Sequence, residues 1–416
     1  MVTIGFDKQC ITPKLPLPLR GYAGKRIAEK VHDDLFTRCL AMMQDGIPYL
    51  LVQCDLIGVD DSVLNKTLEK LDINIEKEHL TITATHTHAG PGGTVDTSKE
   101  PFANLQNIFG APNPEYLDFL TDQIALAARN AFADLKSCEL TIARGAVKNV
   151  GTERHDPKLA GDDSLLVLLF ERCDGKKLLL YNYACHPTVT GPENMMITAD
   201  FPYAVECELD YDLVMFINSN AGDISTRFTR KSSGFEQVEI YRPLIVQAIE
   251  NALKTPVYHG SFDCISMNRY PITLPIKKVR SVDEEQAALR SYEDRLAQAT
   301  LEGADALTLR LLSTYVEGGK IAVGLAETLQ GLQNIEAHFT IIGLQNLTIA
   351  VVPGELFSTL GVPLKKEGIE VFGYGNGYYL YIADEHSYDE MVYEAMSSPF
   401  EKGVGEFLVK EIRKYV

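Results

Sequence analysis

The sequence predicts an α/β protein with mixed, buried sheets flanked by helices. Three observations carry this. Apolar runs rich in β-branched residues recur along the 416 residues, helical patterns lie between several of them, and polar residues capable of chemistry stand just where the runs stop.

The strand-like runs, in order, are YLLVQCDLIGV (49–59), LTITAT (80–85), CELTIARGAV (138–147), SLLVLLF (164–170), KLLLYNYA (177–184), DLVMFIN (212–218), FTIIGLQNLTIAVV (339–352) and IEVFGYGNGYYLYI (369–382). Several are too continuously apolar to keep a solvated face, as strands covered on both sides are. Helices are expected over SVLNKTLEKL (62–71), NPEYLDFLTDQIALAARNAFADL (113–135) and YRPLIVQAIENALK (241–254). The long pattern at 283–329 reads as two helices hinged around Glu317-Gly318-Gly319, a helical insertion at about 281–330. No internal repeat or flexible linker divides the chain, so residues 1–416 are expected to form one domain.

Composition narrows the partners. A formal net charge of −18 opposes binding to nucleic acid or an anionic membrane surface. No apolar stretch is long enough for a membrane span. The opening MVTIGFDKQC lacks the basic-then-apolar pattern of a secretory leader, and the 8 cysteines are scattered singly. Both point to a reducing, cytoplasmic setting.

Five loops that follow expected strands carry the candidate chemistry: THTH, CHPT, NAGDIS, PGE and NGYYLYIADEHSY. In open α/β sheets, sites form beyond the carboxyl ends of strands. His86 and His88, two apart on extended chain, point to one side, and the AGPGG that follows ends the strand. Both can hold a metal, or one can ligate while the other handles a proton or an oxyanion. His186 closes a strand that Pro187 stops, a position also suited to a merely satisfied polar end. Glu355, after a near-continuous apolar strand, must be paired, protonated or metal-bound, or face a helix N-terminus. Two imidazoles and a carboxylate with one open position suit catalytic zinc, which lowers the pKa of bound water to about 7. Asp223 and Ser225 in NAGDIST either place a hydroxyl at the reacting carbonyl, with Asp223 orienting it, or cap a helix. Neither HExxH nor GxSxG occurs, which sets aside thermolysin-like and ordinary serine hydrolase sites. The tyrosines of NGYYLYIADEHSYDEMVYEAM are expected mostly to pack in the core or on the surface, but a phenol can also ligate a metal or donate to an oxyanion, a role open to Tyr381 and Tyr393.

Together these motifs resemble the neutral/alkaline, non-lysosomal ceramidases, a family of zinc amidases. ITPKLPLPLRGYAGKR and VHDDLFTRCLAMMQDGIPYLLVQCDLIGV are similar to the family's opening segments, THTHAGPGG is the most specific match, and NAGDIS, PGELF and NGYYLYIADEHSYDEMVYEA follow. CHPTVTGPENMMITADFPY is closer to shorter bacterial relatives. The resemblance implies a ceramidase-like catalytic fold. It implies one zinc ion held by His86, His186, Glu355 and Tyr381, with Tyr378 the alternative tyrosine. It gives His88 and Tyr393 to the substrate and its oxyanion, Ser225 to the active-site serine position, and Arg154 in NVGTERHDP to a substrate-holding arginine.

Three departures matter. The family's GDVSPN becomes GDISTR, with Thr226-Arg227 where Pro-Asn stands. The acidic pair of its TTxEEY segment becomes His386-Ser387 before Tyr388. The sequence ends soon afterwards, where full-length ceramidases carry an immunoglobulin-like domain. A strongly acidic chain without a membrane-binding helix is a poor lipid harvester. The expected activity is therefore zinc-dependent hydrolysis of an amide bond in a small, soluble N-acyl substrate. A zinc esterase, or a ligand-binding relative without catalysis, is the alternative.

Overall fold

The computed structural model describes residues 1–22, 25–98, 102, 105–156, 158–159 and 161–416. Ala23, Gly24 and Pro157, within the opening segment and NVGTERHDP, lie outside the described residues.

Strands β1 (Thr3–Cys10), β2 (Phe36–Gln44) and β3 (Ile47–Cys54) form an antiparallel meander. Helix α1 (Asp61–Lys70) then crosses over to β4 (Leu80–Ala84), parallel to β3, and α2 (Pro114–Ala133) follows. The same order recurs with β5 (Lys136–Ala146), β6 (Ser164–Arg172), β7 (Lys177–Tyr183), α3 (Phe201–Glu208), β8 (Leu213–Asn218) and α4 (Phe235–Leu253). After β9 (Tyr258–Ser261) comes a third round: β10 (Ile265–Pro275), α5 (Val282–Leu301), α6 (Ala306–Thr328), β11 (Asn334–Leu344), β12 (Leu347–Val351), α7 (Ser358–Lys366), β13 (Ile369–Phe372), α8 (Tyr393–Ser397) and α9 (Val404–Ile412). The chain thus repeats one topology three times, although no repeat is visible in its sequence.

The first two units join through β1 and β5 into a sheet of order β8-β7-β6-β5-β1-β2-β3-β4, with β9 on β5; the third forms the sheet β10-β11-β12-β13. One face of all three units fills a shared core, where Ile4, Leu40, Leu168 and Met215 meet Met267, Ile342 and Val351. Helices cover the other faces: Phe201 and Ile245 pack on Tyr181 in the second unit, and Leu120 and Ile124 join the large core beneath the first. Every residue of β4 and of β8 is buried, which explains their unbroken apolar sequences.

The fourth strands converge at their carboxyl ends. The Asn218 amide donates to Thr85 O (3.2 Å) and Cys185 O (3.1 Å), Gly373 N donates to Asn218 O (2.9 Å), and Ala84 N donates to Tyr374 O (3.1 Å). These bonds link β4, β8 and β13 in a closed ring, so the loops leaving them must share one region. In each unit the connection between its first two strands arches over that region, and in the third unit it holds the α5–α6 hairpin.

Some expectations are corrected. The hairpin turns at 302–305, not at Glu317-Gly318-Gly319: Gly303 takes φ +71°, and the Asp305 carboxylate accepts from Thr308 N (3.0 Å). Gly319 instead lets two helices close, since a Cβ there would stand 3.1 Å from the Tyr292 ring and 3.2 Å from Leu289. The run IEVFGYGNGYYLYI is not one strand. It leaves β13 at Phe372, turns through left-handed Tyr374, Asn376 and Leu380 with a single bridge from Gly375 to Thr83, and forms a ladder again at Tyr381–Ile382, beside Glu355–Leu356. FTIIGLQNLTIAVV is a hairpin turning at Gln345, where φ is +56°. No helix among the described residues is long and apolar enough to cross a membrane.

Candidate metal centre

His86, two residues beyond β4, is buried and held at φ +72°, a conformation costing a non-glycine residue on the order of 1–3 kcal/mol. Its Nδ1 lies 2.7 Å from Ile57 O. His186, after β7, repeats the arrangement, with Nδ1 3.0 Å from Ile224 O. A carbonyl only accepts, so each Nδ1 carries a proton, and each Nε2 is the atom left to face the cluster. Both Nε2 atoms face Glu355, whose Oε2 lies 3.3 Å from His86 Nε2 and 3.1 Å from His186 Nε2. Burial pushes the His186 imidazole down to about 4, aided by Arg154, so it is neutral near pH 7. Burial opposes ionisation of Glu355, but the facing imidazoles outweigh it and hold the carboxyl well below its usual range.

His88 adds a third imidazole, its Nε2 3.2 Å from His86 Nε2. Burial, then His86 and His186, lower its proton affinity strongly. Its Nδ1 is buried without a hydrogen-bond partner among the described residues. Donor atoms of His86, His88 and His186 all lie within 4.8 Å of one another, a cluster that can hold a metal ion. Converging imidazole nitrogens and a carboxylate are the donor types that fit zinc or a similar divalent ion.

The tyrosines divide. Tyr378 donates to Glu355 Oε1 (2.7 Å), the oxygen turned from the histidines, and so fixes the carboxylate. Tyr381 is the backbone pairing partner of Glu355, which sets both side chains on one face of their short parallel ladder. The Arg154 guanidinium lies 5.3 Å from its ring centroid. Tyr374 stacks on His86 with ring centroids 4.4 Å apart and was not anticipated from the sequence.

Arg154 reaches His186 Nε2 (3.4 Å) and pairs with Glu394 (2.5 Å). Glu394 Oε2 also contacts His155 Nε2 at 2.5 Å, and His155 meets Glu153 through its other nitrogen. Burial opposes the charge on Glu394, but Arg154 and His155 hold it down to about 2, while Glu394 and Glu153 lift His155 to about 9 against burial. Sequence reasoning passed over Glu394; three adjacent ionisable residues, Glu153-Arg154-His155, signalled that such a partner was needed.

Ser225, His88, His186, Glu355, Tyr381 and Tyr393 all border one cavity of about 250 Å³. All five loops singled out in the sequence thus supply its wall, NGYYLYIADEHSY through Tyr381. Asp223 is corrected. Its two carboxylate oxygens accept from Ser358 N (2.7 Å) and Ser358 Oγ (2.6 Å), so it caps α7 from outside instead of orienting the Ser225 hydroxyl. Burial raises its pKa to about 7.

Three β-β-β-α-β-α rounds thus bring to their convergent strand ends an imidazole–carboxylate cluster that can hold a metal ion. Residues 3–232, more than half the chain, match the family model for the neutral/alkaline non-lysosomal ceramidase N-terminal region, and the chain belongs to that family. Amide hydrolysis is the activity of that family. The chain is similar in fold to the neutral ceramidase of Pseudomonas aeruginosa, with a TM-score of 0.74 at 16% identity over 99% of this chain and 73% of that one. A solved ceramidase complexed with C2 aligns equally well, with a TM-score of 0.74 at 16% identity, covering 100% of this chain and 76% of that one. No curated protein matches the sequence. Glu355, Tyr381 and Tyr393 lie beyond the residues the family model matches.

Proposed function

We propose that the protein hydrolyses the amide bond of a small N-acyl substrate, using one zinc ion per chain held by His86, His186, Glu355 and Tyr381. The supporting observation is the pair of imidazole Nε2 atoms facing a buried carboxylate on the wall of a cavity shared with Ser225, Arg154 and Tyr393. Bound there, the ion supplies a Lewis acid and lowers the pKa of water to about 7.

The chain's own groups do the rest. Neutral His88 donates through one ring nitrogen, and protonated Tyr393 donates its phenol, toward the acyl oxygen as charge develops there. Such donors each contribute about 2.7–4 kcal/mol in well-studied sites. Burial keeps the Tyr393 phenol protonated, as a donor requires. Ser225 holds the substrate on the opposite wall. Arg154, anchored by Glu394, keeps the region between His186 and Tyr381 positively charged. A cavity of this size favours a short acyl chain over a lipid. All eight cysteines are free, as in a reducing compartment, and the proposed location is the cytoplasm. The core shared by all three units supports treating residues 1–416 as one catalytic domain.

Metal analysis of purified protein, coupled to hydrolysis of N-acyl amides graded by chain length and of matched esters, tests the proposal. About one zinc per chain and turnover of short amides that chelation abolishes are expected. Undiminished amide turnover in metal-free protein would overturn it.

Gly21→Ala separates His88 from the metal. Gly21 has φ +101°, and a Cβ there would stand 2.3 Å from His88 Cγ. The imidazole must move, so kcat/KM is expected to fall about tenfold or more while bound zinc is retained. Loss of zinc in this variant would make His88 a ligand.

A further inference from the structure

The cavity wall is cationic in a chain that carries 57 acidic against 39 basic residues. Arg154, Arg227, Arg230, Arg310 and Lys320 border it, against Glu317 and Glu355. Glu355 faces the imidazoles, Arg154 is paired with Glu394, and Arg310 lies 3.3 Å from Glu317. That leaves Arg227, Arg230 and Lys320. None of the three has a carboxylate within ion-pair distance among the described residues. Arg227 Nη1 donates only to the backbone oxygen of Arg154 (2.9 Å), and Arg230 Nη1 only to that of Thr188 (2.9 Å). Burial lowers the Arg227 guanidinium to about 10; the neighbouring Arg154 and Arg310 add to the effect, and Glu394 and Glu317 only partly offset it.

Half-burying Arg227 and Arg230 without an ion-pair partner costs stability, because each is partly desolvated, and exposed Lys320 adds a third charge to the same wall. Guanidinium groups match oxyanions through paired N–H donors, which a neutral lipid chain would leave unused. The sequence points the same way. Arg227 and Arg230 follow Ser225 in GDISTRFTR, and Thr226-Arg227 replaces the Pro-Asn of the ceramidase motif. The departure therefore lies on the substrate side of the cavity and leaves the metal donors untouched.

We propose that Arg227, Arg230 and Lys320 form an oxyanion subsite, so that the amide substrate carries a carboxylate or phosphate group beside its scissile bond. The inference rests on the amide-hydrolase reading for its substrate but not for its binding.

The test compares N-acetyl-L-alanine, N-acetyl-O-phosphoethanolamine and the neutral N-acetyl-L-alaninamide as substrates, and measures binding of each to the zinc-loaded enzyme by calorimetry. The wild type should prefer one or both charged compounds about 100-fold or more over the neutral one, and the favoured arm identifies carboxylate or phosphate. In Arg227→Gln/Arg230→Gln that preference should shrink to within about threefold. Lys320 is exposed on α6, so Lys320→Met cannot disturb the core, and it should reduce the preference several-fold. Hydrolysis with equal kcat/KM for charged and neutral amides would overturn the subsite and leave the amidase standing. Charge-selective binding lost in the double variant, with no amide cleaved, would support the subsite and overturn the proposed activity.

Discussion

Glu355→Gln is expected to leave a folded protein that holds less than about a tenth of the wild-type zinc and has lost more than about 100-fold in kcat/KM. Glutamine keeps the volume of glutamate, so packing around the buried side chain survives. What changes is charge and donor character. The carboxylate is the anionic group nearest both His86 Nε2 and His186 Nε2, at 3.3 and 3.1 Å. An amide offers one weak oxygen donor or an NH₂ that cannot ligate at all, and Tyr378, donating at 2.7 Å, will select which end faces inward. Because the phenol O–H needs an acceptor, the amide oxygen turns toward Tyr378 and the NH₂ toward the histidines. Loss of a group one shell further out typically costs 10–100-fold, so loss of a ligand should exceed that. His186→Ala should give the same zinc loss. Inductively coupled plasma analysis beside circular dichroism reads the outcome. Full zinc in Glu355→Gln would assign the ion to the three imidazoles His86, His88 and His186, which also lie within reach of one another.

The fold class was legible because burial on both faces writes itself as continuous apolar sequence, as in LTITA and LVMFIN. Strands that depart from this escaped. β2 carries Arg38 as its third residue, which reads as polar but is buried and paired with Asp55 at 2.8 Å. β10 alternates buried and exposed residues and includes Pro271, as an edge strand can, so its apolar content fell below notice. The triple topology was invisible for a different reason. Strand order and crossover are properties of pairing, and three units with different loops and different polar residues at the strand ends share no residue pattern to detect.

At the site, the loops after strands were readable because Gly and Pro mark where a strand ends and His, Glu or Ser beside them have no apolar reason to be there. Which partner each residue takes was not. Asp223 and Ser225 are two apart in sequence and look coupled, yet Asp223 turns to Ser358, 135 residues away, because the α7 N-terminus offers it two donors. The pairing register of Glu355 with Tyr381 likewise separates the roles of Tyr378 and Tyr381, and it exists only once the ladder forms.

Replacing Glu394 by glutamine should cost about 3–5 kcal/mol, the usual penalty for removing one partner from a buried ion network. Glu394 is buried and serves two cations at once, Arg154 and His155, each at 2.5 Å. Without its charge, Arg154 has no other carboxylate in ion-pair distance among the described residues and stays desolvated beside His186. His155 keeps only Glu153. The pH profile gives an independent reading. The His155 pKa is raised from 6.5 to about 9, so its contribution is complete below about pH 6.5 and is lost as pH climbs through 9. Glu394 is depressed from 4.5 to about 2, so its contribution is complete above about 4.5 and is lost as pH falls through 2. The wild type should therefore be most stable between about pH 4.5 and 6.5 as far as this network decides, then weaken toward pH 9. Denaturant unfolding at a series of pH values should show that decline, and it should be shallower in Glu394→Gln because half of the histidine's anionic surroundings is gone. Zinc content should persist in the variant, since Glu394 touches no proposed ligand, while kcat/KM falls as Arg154 loses its anchor. An unchanged pH slope would mean that Glu153 alone holds the proton on His155.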